Sequence, residues 1–256
     1  MTSRPHDRAT ISGRDVVDEL IGVHSFVEAS ILRITGRLPT GPEATMVDAI
    51  MVTLIEHGLT PSAVAARLTY LGAPESLSGA VAAGLAGVGS RFLGTPQEVA
   101  ELLQTWYEPQ SDATRVAQEL VASLRNQGRI VPGFGHPIHR EHDPRVDALF
   151  DLQRSLGLPD DHARLMEQVG VALREQTGRT LPMNAAGAIG AIVSDLDQEP
   201  AFARGIALIA RCAGLVGHIA DERHEPVGPR LWQAAREIEA GNVDTRSAGP
   251  PDDDPQ

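Results

Sequence analysis

Apolar residues recur at three- and four-residue spacing along most of this chain, the mark of helices that bury one face. Val16, Leu20 and Ile21 start the pattern. It predicts helices over 26–35, 43–57, 61–70, 77–89, 96–107, 114–126, 145–155, 161–176, 185–195, 200–221 and 229–240. Punctuation supports these boundaries: Gly36 and Pro39 close the second helix, Thr60-Pro61 opens another, and Leu181-Pro182 makes a turn. The 77–89 segment is rich in Ala and Gly, a weak helix alone but one whose small side chains permit close packing. Strand alternation is nowhere sustained, so the expected fold class is all-α. Residues 1–12 read as a mobile leader, and the polar tail 241–256, ending Pro-Pro-Asp-Asp-Asp-Pro-Gln, as disordered.

Composition narrows the function classes. The 256 residues fit one large domain or two modest ones. Aromatics are only 4%, so the core must be aliphatic. A net charge of −12 argues against a nucleic-acid partner, whose phosphates demand a basic face. The single cysteine, Cys212, excludes an intrachain disulfide and suits a reducing cytoplasm; its apolar surroundings, Ile206–Val216, predict a buried, inert thiol. The N-terminus carries no apolar signal region, and no apolar run reaches the roughly 18 residues of a membrane span. A cytoplasmic protein with no membrane partner is expected.

The chemistry concentrates in Val131–Arg145, which reads Val-Pro-Gly-Phe-Gly-His-Pro-Ile-His-Arg-Glu-His-Asp-Pro-Arg. Gly133 and Gly135 permit backbone conformations closed to other residues and a close ligand approach. Asp143-Pro144 reads as a helix start, an N-cap acid followed by proline at the first helical position. His136 then sits on a tight loop and Arg145 in the first turn of the next helix. A histidine beside fixed cations suits an anionic substrate that needs a proton moved. His136, His139, His142 and Asp143 could suggest a metal, but Pro137 and the glycines disfavour the helix that would gather them, and no metal site is expected. No Gly-x-Gly-x-x-Gly or phosphate loop occurs.

This loop resembles the histidine loop of the citrate synthase superfamily, which includes citryl-CoA lyase. Leu54–Ser62 is similar to the superfamily's acidic-His-x-Leu segment, and Gly217-His218 with Arg223 to its late helix. The resemblance implies a large helical domain, 13–94 with 184–240, and a smaller inserted helical domain, 95–183. It implies carbon–carbon bond formation or cleavage on a coenzyme A thioester, with a di- or tricarboxylate as the other partner. It assigns the catalytic acceptor-side histidine to His136, a substrate contact to His57, substrate carboxylates to Arg145 and Arg223, and coenzyme A contacts to Arg140, Val131 and Gly133. No covalently bound cofactor is implied, and a homodimer is. The short length resembles stand-alone citryl-CoA lyase-like members.

Two positions depart from the superfamily's pattern. Its first catalytic histidine is expected at Leu93, within Ser90–Gly94, and no histidine occurs between His57 and His136. Its aspartate base is expected at Ala186, in Asn184-Ala185-Ala186, and no Asp occurs from Arg179 to Ser194. Losing a general base costs roughly 10²–10⁴ in rate. Three readings stay open: an enzyme with rearranged chemistry, in which Ser90 or Arg91 offers a donor near the thioester, Asn184 orients water and a glutamate from elsewhere serves as base; a catalytically degenerate protein that binds thioester or carboxylate as a regulatory or partner subunit; and a subunit that pairs with an intact relative.

Overall fold

The protein is described by a computed structural model for residues 8–135 and 142–241. Helix starts follow local side-chain chemistry. Helix α1 (Phe26–Thr35) opens on a reciprocal capping box in which Ser25 accepts from the Glu28 amide and Glu28 accepts from the Ser25 amide. Thr40 and Glu43 repeat that arrangement at α2 (Gly41–Ile55). Thr60 caps α3 (Pro61–Gly72), and Ser76 caps α4 (Leu77–Ala86). The series continues through α5 (Gly89–Leu93), α6 (Thr95–Trp106), α7 (Ala113–Asn126), α8 (Pro144–Ser155) and α9 (Asp161–Thr177). It ends with α10 (Ala185–Asp195), α11 (Pro200–His224) and α12 (Gly228–Glu239). The all-α expectation holds.

Differences from the periodicity are local. The helix expected over 43–57 begins at Gly41, because Thr40 supplies the cap, and ends where Glu56 turns extended at φ −119° and ψ 139°. The segment 77–89 breaks in two, since Gly89 adopts φ +57° and starts a separate short helix. The last expected core helix runs on to His224 and so includes Arg223. Near the start, Thr10–Ile11 (β1) pairs antiparallel with Arg14–Asp15 (β2) around Ser12 and Gly13, both at positive φ. The helical spacing from Val16 yields a single wide turn, Val16–Leu20, capped by Asp15. The expected leader thus includes a strand at Thr10–Ile11. Residues 1–7 and most of the expected tail lie outside the described residues.

Helix α11 is the centre of the molecule, touching α2, α3, α4, α6 and α10. By length and composition it could cross a membrane, contrary to the expectation that no run is long enough. Yet 56% of its apolar window is buried inside the protein, which makes it the core helix. Small residues let its neighbours approach. A Cβ on Gly84 of α4 would meet Leu215 at 2.8 Å and Ala66 at 3.0 Å, so the Ala/Gly-rich helix packs as its composition predicts. The main apolar cluster joins Met46 and Ile50 of α2 to Val99, Leu120, Phe150, Met166, Ile189 and Ile206. Segments 95–183 and 184–240 therefore share one core.

Candidate functional site

Several helix ends meet at one cleft. Thr53, Leu54, Glu56 and His57 reach it from the end of α2, and Phe92 and Leu93 from α5. Thr95 and Pro96 open α6, Arg145 lies in the first turn of α8, and Asn184, Ala185 and Ala186 start α10. Arg211 comes from the middle of α11. The starts of α6, α8 and α10 carry the partly positive ends of their helix dipoles. With two arginines and a histidine beside them, the cleft suits an anion.

Arg145 is held rigidly. Asp143, fully buried as a side chain, caps α8 by accepting from the Arg145 amide at 3.1 Å. The same carboxylate takes Arg145 Nε at 2.9 Å and Nη2 at 2.7 Å. It also accepts from the Ala185 amide at 3.2 Å, which ties α8 to the start of α10. The expected Asp-Pro helix start is therefore present, and its acid also aims the arginine. A planar guanidinium gripped along one edge is pre-oriented for a planar partner.

Arg211 is 7% exposed. Burial lowers its guanidinium below the usual range, and the Glu56 carboxylate opposes that shift. A bound carboxylate would do the same more strongly, by supplying the charge that the buried cation needs. Sequence reasoning passed over Arg211 in favour of Arg223. The available signal was a lone arginine inside the apolar run Ile206–Val216.

Arg223 does not line this cleft. Its Nε donates to Tyr70 Oη at 2.9 Å, and its guanidinium lies 5.7 Å from the Tyr70 ring centroid. Val131 and Gly133 are also placed elsewhere. Val131 is 7% exposed within the main core. Gly133 sits at φ +85°, where a Cβ would meet Met166 at 2.6 Å and Gly187 at 2.8 Å. Its carbonyl accepts from the Asn184 amide at 3.0 Å. At these two positions the structure shows packing and a close backbone approach, which accounts for the glycine. His136, His139 and Arg140 lie outside the described residues. Cys212 is partly exposed rather than buried, on the wall of a separate groove.

Asn184 is structural. Its Oδ1 caps α10 by accepting from Gly187, and its Nδ2 donates to the Gly135 carbonyl at 2.9 Å. It thereby fixes the glycine loop to the helix that carries Ala186. Leu93 and Ala186 both line the cleft, so the two departures from the superfamily pattern fall on its wall. Glu56 is the single carboxylate among the described lining residues. Its Oε1 accepts from the amides of His57 at 2.9 Å and Gly58 at 2.5 Å.

A second, larger groove of about 1040 Å³ runs between α1, α2 and α11. No cationic side chain lines it among the described residues, and Glu28 and Asp48 do. The cationic side chains are concentrated in the smaller cleft.

Fold and cleft together define an all-α protein whose helix ends converge on a cleft with one buried and one partly exposed arginine. The chain belongs to the citrate synthase family, whose description "Citrate synthase, C-terminal domain" matches residues 9–232. It is similar to the solved citryl-CoA lyase from Hydrogenobacter thermophilus, with a TM-score of 0.79 and 32% identity over 87% of this chain and 85% of that one. ATP citrate lyase from Methanothrix soehngenii, solved with citrate and coenzyme A, shares the fold at a TM-score of 0.67 and 22% identity, covering 78% of this chain and 34% of that one. ATP-citrate synthase subunit 1 of Sordaria macrospora is 25% identical over 237 residues, 84% of this chain. The chain spans 33% of that relative's length.

Proposed function

We propose that this protein makes or breaks a carbon–carbon bond on a coenzyme A thioester, in the manner of citryl-CoA lyase: citryl-CoA to acetyl-CoA plus oxaloacetate, or the reverse. The observation that carries this reading is the convergence of Arg145, held by buried Asp143, with buried Arg211 and His57 on one cleft. A small acid with two carboxylates can be bound by two guanidiniums that reach the cleft from separate helices. The enclosed space, about 70 Å³, suits the reacting end of such an acid, with the nucleotide of coenzyme A outside it. By the superfamily resemblance, His136 serves the acceptor oxygen and Arg140 the coenzyme A phosphate.

Shared membership and similarity to the lyase support the reaction class. The smaller helical domain over 95–183, a homodimer, a cytoplasmic setting and the absence of a covalently bound cofactor belong to the same proposal. A second reading is favoured by one observation: Leu93 and Ala186 line the cleft where the superfamily pattern has a histidine and an aspartate. On that reading the protein binds thioester or carboxylate without turnover, as a regulatory or partner subunit.

Calorimetric titration with coenzyme A, acetyl-CoA and oxaloacetate, followed by a citryl-CoA cleavage assay, separates the two readings. The expected result is binding of all three ligands and cleavage that disappears in His136→Ala. Binding without cleavage would establish the second reading, and binding of none would refute both.

A further inference from the structure

The chain has a methyl group at Ala186, where the resemblance expects the base, so a thioester enzyme built on it needs another carboxylate. Glu56 is the carboxylate that lines the cleft among the described residues, beside His57 and across from Arg211. Its geometry is that of a held group. Two backbone amides hold Oε1, those of His57 and Gly58. The side chain is otherwise 61% exposed, within reach of a ligand entering the cleft.

A second, independent observation points at the same atom. His218 of α11 is 6% exposed, and its Nδ1 lies 3.3 Å from Arg67 Nε and 3.0 Å from Arg67 Nη2. A guanidinium can only donate, so Nδ1 must accept and the His218 proton must sit on Nε2. That Nε2 is buried and has no hydrogen-bond partner. The nearest carboxylate oxygen is Glu56 Oε1, 3.4 Å away and within ion-pair range but outside hydrogen-bond geometry. A buried donor left unpaired is costly, so native structures retain few of them. Arg67 cannot turn away from Nδ1 to relieve this, because Nη1 is fixed on buried Glu222 at 2.6 Å. The orphan N–H therefore lies beside the Glu56 carboxylate, which a small shift would bring into hydrogen-bond geometry.

We propose that Glu56 is the proton-transfer carboxylate of this cleft, taking the place of the absent aspartate; the assignment rests on the coenzyme A thioester reading above. In the exchange direction, the Glu56 carboxylate takes a proton from the acetyl-CoA methyl group. The C–H electron pair becomes the enolate double bond, and the negative charge moves to the thioester oxygen. In D₂O the new carboxylic acid trades its proton for a deuteron and returns it to carbon. In the cleavage direction, the citryl hydroxyl gives its proton to a neutral imidazole, the task assigned above to His136. The carbon–carbon bond then breaks with its electron pair on the acetyl side, leaving the oxaloacetate ketone. Glu56, starting protonated, delivers its proton to the enolate carbon.

The test is Glu56→Gln, which preserves an Oε1 acceptor for the His57 and Gly58 amides and removes the basicity. Exchange of acetyl-CoA methyl protons with D₂O is followed by NMR for the wild type and the variant, with oxaloacetate affinity by calorimetry and citryl-CoA cleavage on the same samples. The expected result is exchange in the wild type, a loss of about 10²-fold or more in the variant, and retained oxaloacetate binding. Exchange at the wild-type rate in Glu56→Gln would overturn the assignment while leaving the thioester reading intact. A wild type that neither exchanges nor cleaves would overturn both.

Discussion

At the scale of single residues, the cleft is decided by where its two arginines are placed. Arg145 gains its direction from a carboxylate two residues earlier, so its placement follows from local sequence. Arg211 is different, because nothing adjacent in the chain pairs with it; its environment is the desolvated middle of α11 and the distant Glu56. A cation in that setting gains most from a bound carboxylate. Arg211→Ala is expected to cost about 2 kcal/mol or more of oxaloacetate affinity, as removal of a buried charge partner does. Arg223→Ala is expected to leave that affinity unchanged, since its guanidinium is engaged with Tyr70 outside the cleft. Calorimetry on the two variants separates them, and equal losses would show that the cleft extends to Arg223.

At the scale of elements, the capping boxes set where helices begin, and that at α2 also links to α1's exit. Glu43 accepts from the Thr40 amide and takes both terminal nitrogens of Arg37 at 2.8 Å. The Arg37 guanidinium first, then the Thr40 amide, hold the Glu43 carboxyl down at about 2 against burial, from an ordinary 4.5. A depressed carboxylate stabilises the folded state fully above its unfolded value. That contribution is lost as pH falls from about 4.5 towards 2. Urea midpoints at pH 7 and pH 3 are expected to differ less in Glu43→Gln than in the wild type. An identical acid sensitivity would mean that other carboxylates dominate. Boundaries at Gly36, Thr60-Pro61 and Asp143-Pro144 were legible because such signals are short-range patterns, whereas the Thr40–Glu43 box moves the start of α2 two residues ahead of its apolar periodicity. The break at Gly89 was not, since a glycine within an apolar run reads equally as a packing residue or as a helix end.

At the scale of the whole molecule, the cleft exists because α2 and α11 lie in contact. Gly214 makes that contact possible: a Cβ there would fall on the Ile55 carbonyl oxygen, a backbone atom that cannot swing aside. Ile55 immediately precedes Glu56 and His57, and Gly214 is less than one helical turn from Arg211. Gly214→Ala is therefore expected to push the two cleft walls apart. Overpacking of this kind costs about 1–3 kcal/mol, and ligand affinity should fall with it. Thermal unfolding and calorimetry on the same variant check both effects, and a stable variant with full affinity would show that α2 does not set the cleft. The acidic surface, net −12, also makes sense at this scale, because the cations that matter are local and partly buried.

The sequence alone determined the all-helical class, most helix positions, the Asp143–Pro144 helix start and the resemblance that led to the family. Each of these depends on residues close in the chain: periodicity, caps, and one continuous loop motif. The sequence also located both departures, Leu93 and Ala186, since a motif's missing members are visible by position. Only the tertiary structure decided that Arg211 rather than Arg223 lines the cleft. It likewise assigned Val131 and Gly133 to packing, and brought Glu56 within reach of the His218 ring. Those facts depend on residues far apart in the chain, such as Gly133 with Gly187 or Glu56 with His218, and on which face of a buried helix meets which neighbour. Helical periodicity specifies that a face is buried, but not what it is buried against.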